Sequence, residues 1–375
     1  MRETFLAIYL ILFAWLSSPA AFSQQAADSK DSTPNPALAR AQQLIALIDS
    51  SGVNALPKLK QALSDESWYV RGEAARALGR LGDKSAGPFL LPLLQDQSWF
   101  VRSAALQAIA SLGGSIDAAA LRELTTTPDA YVRASAIVSS AAGNSAAGDS
   151  LIQALGDHDE LVRRAAATAL GELRVANAVD TLAGLLKDED PGVRKASAVA
   201  LGLIGDKRSE SAVRASVPET AAGQWEYAVA LYRLGNRDHL DQITAALRSE
   251  YADDRQGALN ALMEFGDNGA LPALLSLAAN DGPTAKRDAL HIRLALARGF
   301  AAFEGEQSRT ALITMLGDDE PAVRAAAVAS LLKISRPDPK GDFSQRSLIA
   351  MVGALKKENS PVVIDAITEA LAGFD

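Results

Sequence analysis

The chain has 375 residues, is 48% hydrophobic but only 5% aromatic, carries a formal net charge of −8 and contains no cysteine. The missing cysteines exclude disulfides, thiolate metal sites, thiol catalysis and an N-terminal lipidated cysteine. The acidic balance argues against general nucleic-acid binding, which needs a basic footprint to neutralise phosphates.

The N-terminus reads as an export signal. Arg2 precedes an apolar stretch from Phe5 to Leu16, then Ser17, Ser18 and Pro19, with Ala21 and Ser23 at the small-residue positions of a cleavage site. The stretch is shorter than the ~20 residues a bilayer span requires. Residues 1–23 are therefore expected to be a signal peptide cleaved after Ser23, which places the mature chain in the periplasm or outside the cell with no membrane span. An uncleaved anchor is the alternative. Residues 24–35 are polar and aperiodic, a flexible leader.

From residue 36 to 375 the chain repeats itself. SWYVRGEAARALGRLG, SWFVRSAALQAIASLG, DAYVRASAIVSSAAGN, DELVRRAAATALGELR and DPGVRKASAVALGLIG align on Arg71, Arg102, Arg133, Arg163 and Arg194, spaced 31, 31, 30 and 31 residues apart. EPAVRAAAVASLLKIS repeats the pattern on Arg324. Degenerate copies place Gln224 and Arg255 in the arginine slot, then Arg293 after an insertion at Asn280–Arg287 and Val363 after a second at Pro337–Asp342, and Arg40 marks an atypical first copy.

Each unit predicts a helix. Ser67, Ser98, Asp129, Asp159 and Asp190 stand at N-cap positions, where a side-chain oxygen can accept from an unpaired N–H of the first turn. Pro191 and Pro321 fall at the first helical position. Ala74, Ala105, Ala136, Ala166, Ala258 and Ala327 share one helical face with Leu78, Ile109, Leu201 and Leu231. Gly82, Gly113, Gly205, Gly235 and Gly266, with Asn144, stand where a left-handed C-cap is needed. A second helix follows in each unit, as in PFLLPLLQ, DSLIQALG, VDTLAGLLK, LDQITAALRS and RTALITMLG. No stretch alternates with period two. The expected fold is all-α, a right-handed α-α superhelix of about ten to eleven hairpins, none able to bury its apolar face alone.

The motif D-x-x-x-x-V-R-x-x-A-x-x-A-L-x-x-L-G resembles the HEAT repeats of the phycobilisome-lyase type, over nearly the whole mature chain. The resemblance implies an armadillo-like solenoid whose second helices (around 85–95, 147–155, 178–187 and 238–248) line a concave, partner-binding side. It says little about function, because one repeat type serves many roles.

The most repeated polar feature pairs Asp65, Asp96, Asp157, Asp188 and Asp318 with Arg71, Arg102, Arg163, Arg194 and Arg324. It reads as an inter-repeat ladder in which the planar guanidinium serves several acceptors, in preference to a basic stripe for anions. Trp68, Tyr69, Trp99, Phe100 and Tyr131 start neighbouring first helices and form the candidate partner-binding strip; a cap over the end of the core is the alternative. His158, His239 and His291 form no metal motif, and the paired His-Glu motifs of HEAT-type hydroxylases are missing. Asp157-His158-Asp159 opens like a calcium loop, but Val162 stands where glycine is needed. Gly202–Lys207 and Gly143–Ala147 lack the strand that a phosphate loop or nucleophile elbow requires. No catalytic residue, cofactor or metal is assigned. The expected function is a non-catalytic extracytoplasmic scaffold for an unknown protein partner, with a lyase-like enzyme or enzyme subunit as the alternative.

Overall fold

The computed structural model describes residues 36–114, 123–143, 148–219, 223–279, 289–303, 305–334 and 342–372. The expected signal peptide, leader, first insertion and Asn144, with residues 337–341 of the second insertion, lie outside them. The described residues are helical, with no strand among them, and they build an α-solenoid of helical pairs. None of their helices is long and apolar enough to cross a membrane. Contacts divide the chain into two units, with the boundary between Ser216 and Val217.

In the first unit the repeat helices are Pro36–Ser51, Trp68–Leu81, Trp99–Ser111, Ala130–Gly143, Glu160–Glu172 and Pro191–Ile204. Each packs on the next in chain order. The alanine three residues after each arginine is why they can. Ala74, Ala105, Ala136 and Ala166 are fully buried, and Val70, Val101, Val132, Val162 and Val193 beside the arginines are nearly so. Glycine brings two pairs of axes closer still. A Cβ on Gly171 would lie 2.6 Å from the Ala200 Cα, and one on Gly79 would lie 2.9 Å from the Ala108 Cα. Polar groups also lock one step. The hydroxyls of Ser103 and Ser135 meet at 2.6 Å, and Ser139 donates to the Leu106 carbonyl at 3.2 Å.

Second helices are short: Leu56–Ala62, Gly148–Ala154, Val179–Leu185 and Glu210–Ala215. The stretch expected as one helix over PFLLPLLQ breaks into a 3-10 turn at Lys84–Ala86, one α-turn at Gly87–Leu90 and a second 3-10 segment at Leu91–Gln95. Pro88 and Pro92 supply no N–H, so the α-helical ladder cannot run through them.

The second unit repeats the scheme with first helices Gln224–Arg233, Ala252–Phe265, Ala289–Gly299, Pro321–Ile334 and Pro361–Ala372. Its second helices are Leu240–Ala246, Leu271–Ala278, Glu306–Met315 and Asp342–Leu355. Larger side chains fill its core, with Phe300 and Phe303 buried among Leu262, Leu296 and Leu331. Tyr232 stacks on Phe265 at 3.9 Å and donates its hydroxyl to Asp267 at 2.8 Å.

Two further local expectations need correction. Asp159 and Asp190 cap their helices by accepting from Leu161 N–H and Val193 N–H, but Ser67 and Ser98 make no side-chain cap. Their own N–H groups bond back to Asp65 and Asp96, at 2.8 Å each, as those of Asp159 and Asp190 do to Asp157 and Asp188. The last helix is also shifted by one position. Val363 is buried like the valines that precede each arginine, and Ile364, whose N–H bonds to the Ser360 carbonyl, occupies the arginine slot. The glycine stops hold: Gly82, Gly113, Gly205, Gly235 and Gly266 all have positive φ. Arg174 fills the same slot at φ 51°, the one non-glycine in that region among the described residues.

Candidate functional site

The arginine ladder is built from each unit and the next. Arg71 donates through Nη1 to the carbonyls of Asp65 and Glu66, at 2.9 and 3.1 Å. Its Nε and Nη2 grip both oxygens of Asp96, at 2.8 and 2.9 Å. The fork therefore ties its own helix start to the turn that opens the following unit. Arg133 and Arg163 do the same with Asp157 and Asp188, and Arg40 reaches Asp65. Arg102 meets Asp129, and Arg324 replaces aspartate by Glu358 at 2.7 Å. Gln224 keeps half of the pattern by donating to the Pro218 carbonyl at 2.7 Å. The ladder is thus inter-repeat, but each carboxylate serves the arginine of the unit before it, while its carbonyl serves its own.

Each carboxylate also accepts an N–H of its own turn. Burial pushes the Asp96 carboxyl up; the Arg71 fork, the Ser98 N–H and the charges of Arg71 and Arg102 outweigh it, so it stays below the usual carboxylate range. Asp65, Asp157 and Asp188 follow the same balance. At Glu358 the Arg324 fork dominates, against an opposing burial effect, and with the N–H groups of Ser360 and Asn359 lowers the pKa to about 2. With both edges engaged in this way, Arg71, Arg133, Arg163 and Arg324 offer little to an anionic ligand.

The aromatic residues singled out in the sequence do come together. Tyr69 lies nearly parallel to Phe100 at 6.0 Å, and Trp99 nearly parallel to Tyr131 at 4.9 Å. Trp68 and Trp99 stand almost perpendicular to Phe100, at 5.4 and 6.0 Å. Phe100 is the keystone. Its ring occupies the space over Gly72, where a Cβ would lie 2.2 Å from Phe100 Cε1, and Arg76 covers it at 4.7 Å. Both tryptophans are partly exposed, Trp68 by 37% and Trp99 by 36%.

The sequence did not single out the other exposed apolar side chains, which include Tyr251, Leu290 and Val362 in the second unit. Phe89 and Leu91 are exposed in the second segment of their unit, with the Lys60 ammonium 4.0 Å from the Phe89 ring centre. In the second unit Ile349 and Val352 project from Asp342–Leu355. A groove of about 410 Å³ runs there between Leu271–Ala278 and Glu306–Met315, lined by Leu275, Ala278, Ala311 and Met315. Amphipathic period alone does not separate a core leucine from one at the margin of the stripe, so these positions gave no signal.

The three histidines sit apart in different repeats. His158 is exposed beside Asp157 at 3.4 Å. Among the described residues no group of three or more His, Asp or Glu side chains is placed to hold a metal ion.

The HEAT-repeat family model matches residues 56–141, 148–224 and 284–372. The chain belongs to the HEAT-repeat family. Among solved structures, this HEAT-repeat chain is similar to the CpcE–CpcF complex of phycocyanin lyase from Nostoc sp. PCC7120, at 20% identity over 79% of this chain and 93% of that one, with TM-score 0.38. It is similar to human deoxyhypusine hydroxylase at 22% identity over 79% and 98%, with TM-score 0.28. An engineered protein aligns at 20% identity over 88% and 90%, with TM-score 0.37. No curated protein matches the HEAT-repeat chain.

Proposed function

We propose that this chain is a non-catalytic, extracytoplasmic scaffold that binds protein partners through its second helices. The observation that carries the reading is apolar surface on second segments that the stacking of first helices does not use. First helices spend their alanine face on stacking and their arginines on the ladder. Second segments leave Phe89, Leu91, Ile349 and Val352 exposed, beside Trp68, Trp99, Leu290 and Val362 on first helices and Tyr251 at the start of one. Clustered exposed apolar surface on a folded chain marks a contact site more often than isolated residues do. The export signal read from residues 1–23 supports the extracytoplasmic part.

The test is affinity retention of envelope proteins by the full chain, compared with a Phe89→Ser/Leu91→Ser variant and an Ile349→Ser/Val352→Ser variant. A retained protein lost from one variant, with the melting temperature unchanged, supports the reading. Retention indifferent to both variants contradicts it. A pigment co-purifying with the chain would redirect the reading to a lyase-like role. N-terminal sequencing of the exported protein should begin at Gln24; an intact Met1 would mean an anchor.

A further inference from the structure

The aromatic strip is more than the fold requires. The repeats provide an internal control: where the early units carry Trp68-Tyr69 and Trp99-Phe100, the later ones carry Glu160-Leu161 and Pro191-Gly192. Helices Glu160–Glu172 and Pro191–Ile204 nevertheless pack on each other as the early ones do. The early units also give up a side chain at Gly72 to seat Phe100. Phe100 thus has a packing seat, but repeat stacking as such does not require the exposed rings of Trp68 and Trp99.

We infer that the strip formed by Trp68, Phe100, Trp99 and Tyr131 is a docking surface for a proline-rich, polyproline II segment of a partner protein bearing basic residues. The inference rests on the scaffold reading only in that the chain binds proteins; the strip lies at the starts of first helices, separate from the second-segment residues of that reading. Trp68 and Trp99 hold equivalent positions in neighbouring repeats, so they are one helix-to-helix step apart, about 8–10 Å. A polyproline II helix advances about 3.1 Å per residue with three residues per turn, so prolines at i and i+3 recur about every 9 Å. One face of such a segment meets equivalent rings in register. A β-strand presents the same face about every 6.8 Å and falls out of step. Rigid proline segments dock on rows of aromatic rings because little conformational entropy is lost.

Charge supplies the second argument. Glu66, two residues before Trp68, has a side chain 90% exposed, and it shares the single guanidinium of Arg40, at 3.5 Å, with Asp65, at 2.9 Å. Arg76 over Phe100 is neutralised by Glu73 at 3.1 Å. The rim therefore presents an acidic group, and the chain as a whole carries a net charge of −8. A basic residue flanking the prolines is favoured there over an acidic one.

The test titrates the full chain with a fluorescein-labelled decaproline ending in two arginines, reading anisotropy. Comparison peptides replace the prolines by alanine or the arginines by glutamate, and chitohexaose serves as a carbohydrate probe. The expected result is saturable binding of the arginine-tailed decaproline, weakened about tenfold or more by Trp68→Ala or Trp99→Ala. Glu66→Lys, a change at a fully accessible side chain, should reverse the preference between arginine and glutamate tails without altering the fold. Phe89→Ser/Leu91→Ser should leave peptide binding unchanged, so loss of the strip and loss of the scaffold reading can be told apart. Equal affinity for the alanine peptide, indifference to both tryptophan substitutions, or tryptophan-dependent binding of chitohexaose without peptide binding would each overturn the proposal.

Discussion

Single residues decide how each unit holds the next. Arg163 and Asp188 are nearly buried, with side chains 10% and 8% exposed, and each satisfies several partners. Arg163→Ala strands a carboxylate in that turn and should cost about 3 kcal/mol, read as a shift of the urea midpoint. Arg174 is the opposite case. A Cβ in the left-handed region costs roughly 1–2 kcal/mol, partly offset by glycine's unfolded entropy, so Arg174→Gly should stabilise the chain by about 0.5–1 kcal/mol. The ladder carboxylates also set the acid limit. Glu358 titrates at about 2 when folded against 4.5 when free. Its contribution is complete above pH 4.5 and is lost as pH falls from 4.5 to 2. Glu358→Gln should flatten stability against pH across that window, and an unchanged acid limb would show that the Arg324 pair contributes nothing.

At the scale of elements, approach distance decides which glycines matter. Gly171 faces the Ala200 Cα, where an added Cβ would sit 2.6 Å away, whereas Gly184 on Val179–Leu185 has nothing within 4 Å. Gly171→Ala should destabilise by about 1–3 kcal/mol through overpacking. Gly184→Ala should stabilise by about 0.5–1 kcal/mol through helix propensity. Opposite shifts of the thermal midpoint in the two variants would confirm that the first helices, and not the second, set the packing limit here. The helices themselves were legible from the sequence because alanine, leucine and glycine recur at fixed offsets from the arginine. The broken segment from Lys84 to Gln95 was misjudged as one helix because its leucines keep the helical period while Pro88 and Pro92 withhold the hydrogen bonds. The absence of serine caps was not legible, because Ser67 and Ser98 occupy the same turn as the capping residues Asp159 and Asp190.

For the whole molecule, repetition made the fold readable and left one ambiguity in the contacts. An aspartate six residues before its own arginine is also about 25 residues after the previous one, so spacing alone cannot say which arginine takes the carboxylate. The structure divides the two roles between carbonyl and carboxylate. The aromatic strip was legible because rings are rare in this chain. The exposed positions Phe89, Leu91, Ile349 and Val352 were not, since they sit within otherwise ordinary apolar stretches.

The central claim is that stacking and partner binding are separate properties, the first held by the ladder and the alanine face and the second by exposed apolar side chains. The most direct measurement compares retention of the same envelope partner by Arg163→Ala, below its melting temperature, and by Phe89→Ser/Leu91→Ser. The account predicts that the ladder variant melts earlier yet retains the partner, whereas the surface variant melts normally and releases it. A ladder variant that releases the partner while still folded, or a surface variant that keeps it alongside an equally retentive Ile349→Ser/Val352→Ser chain, would contradict the account.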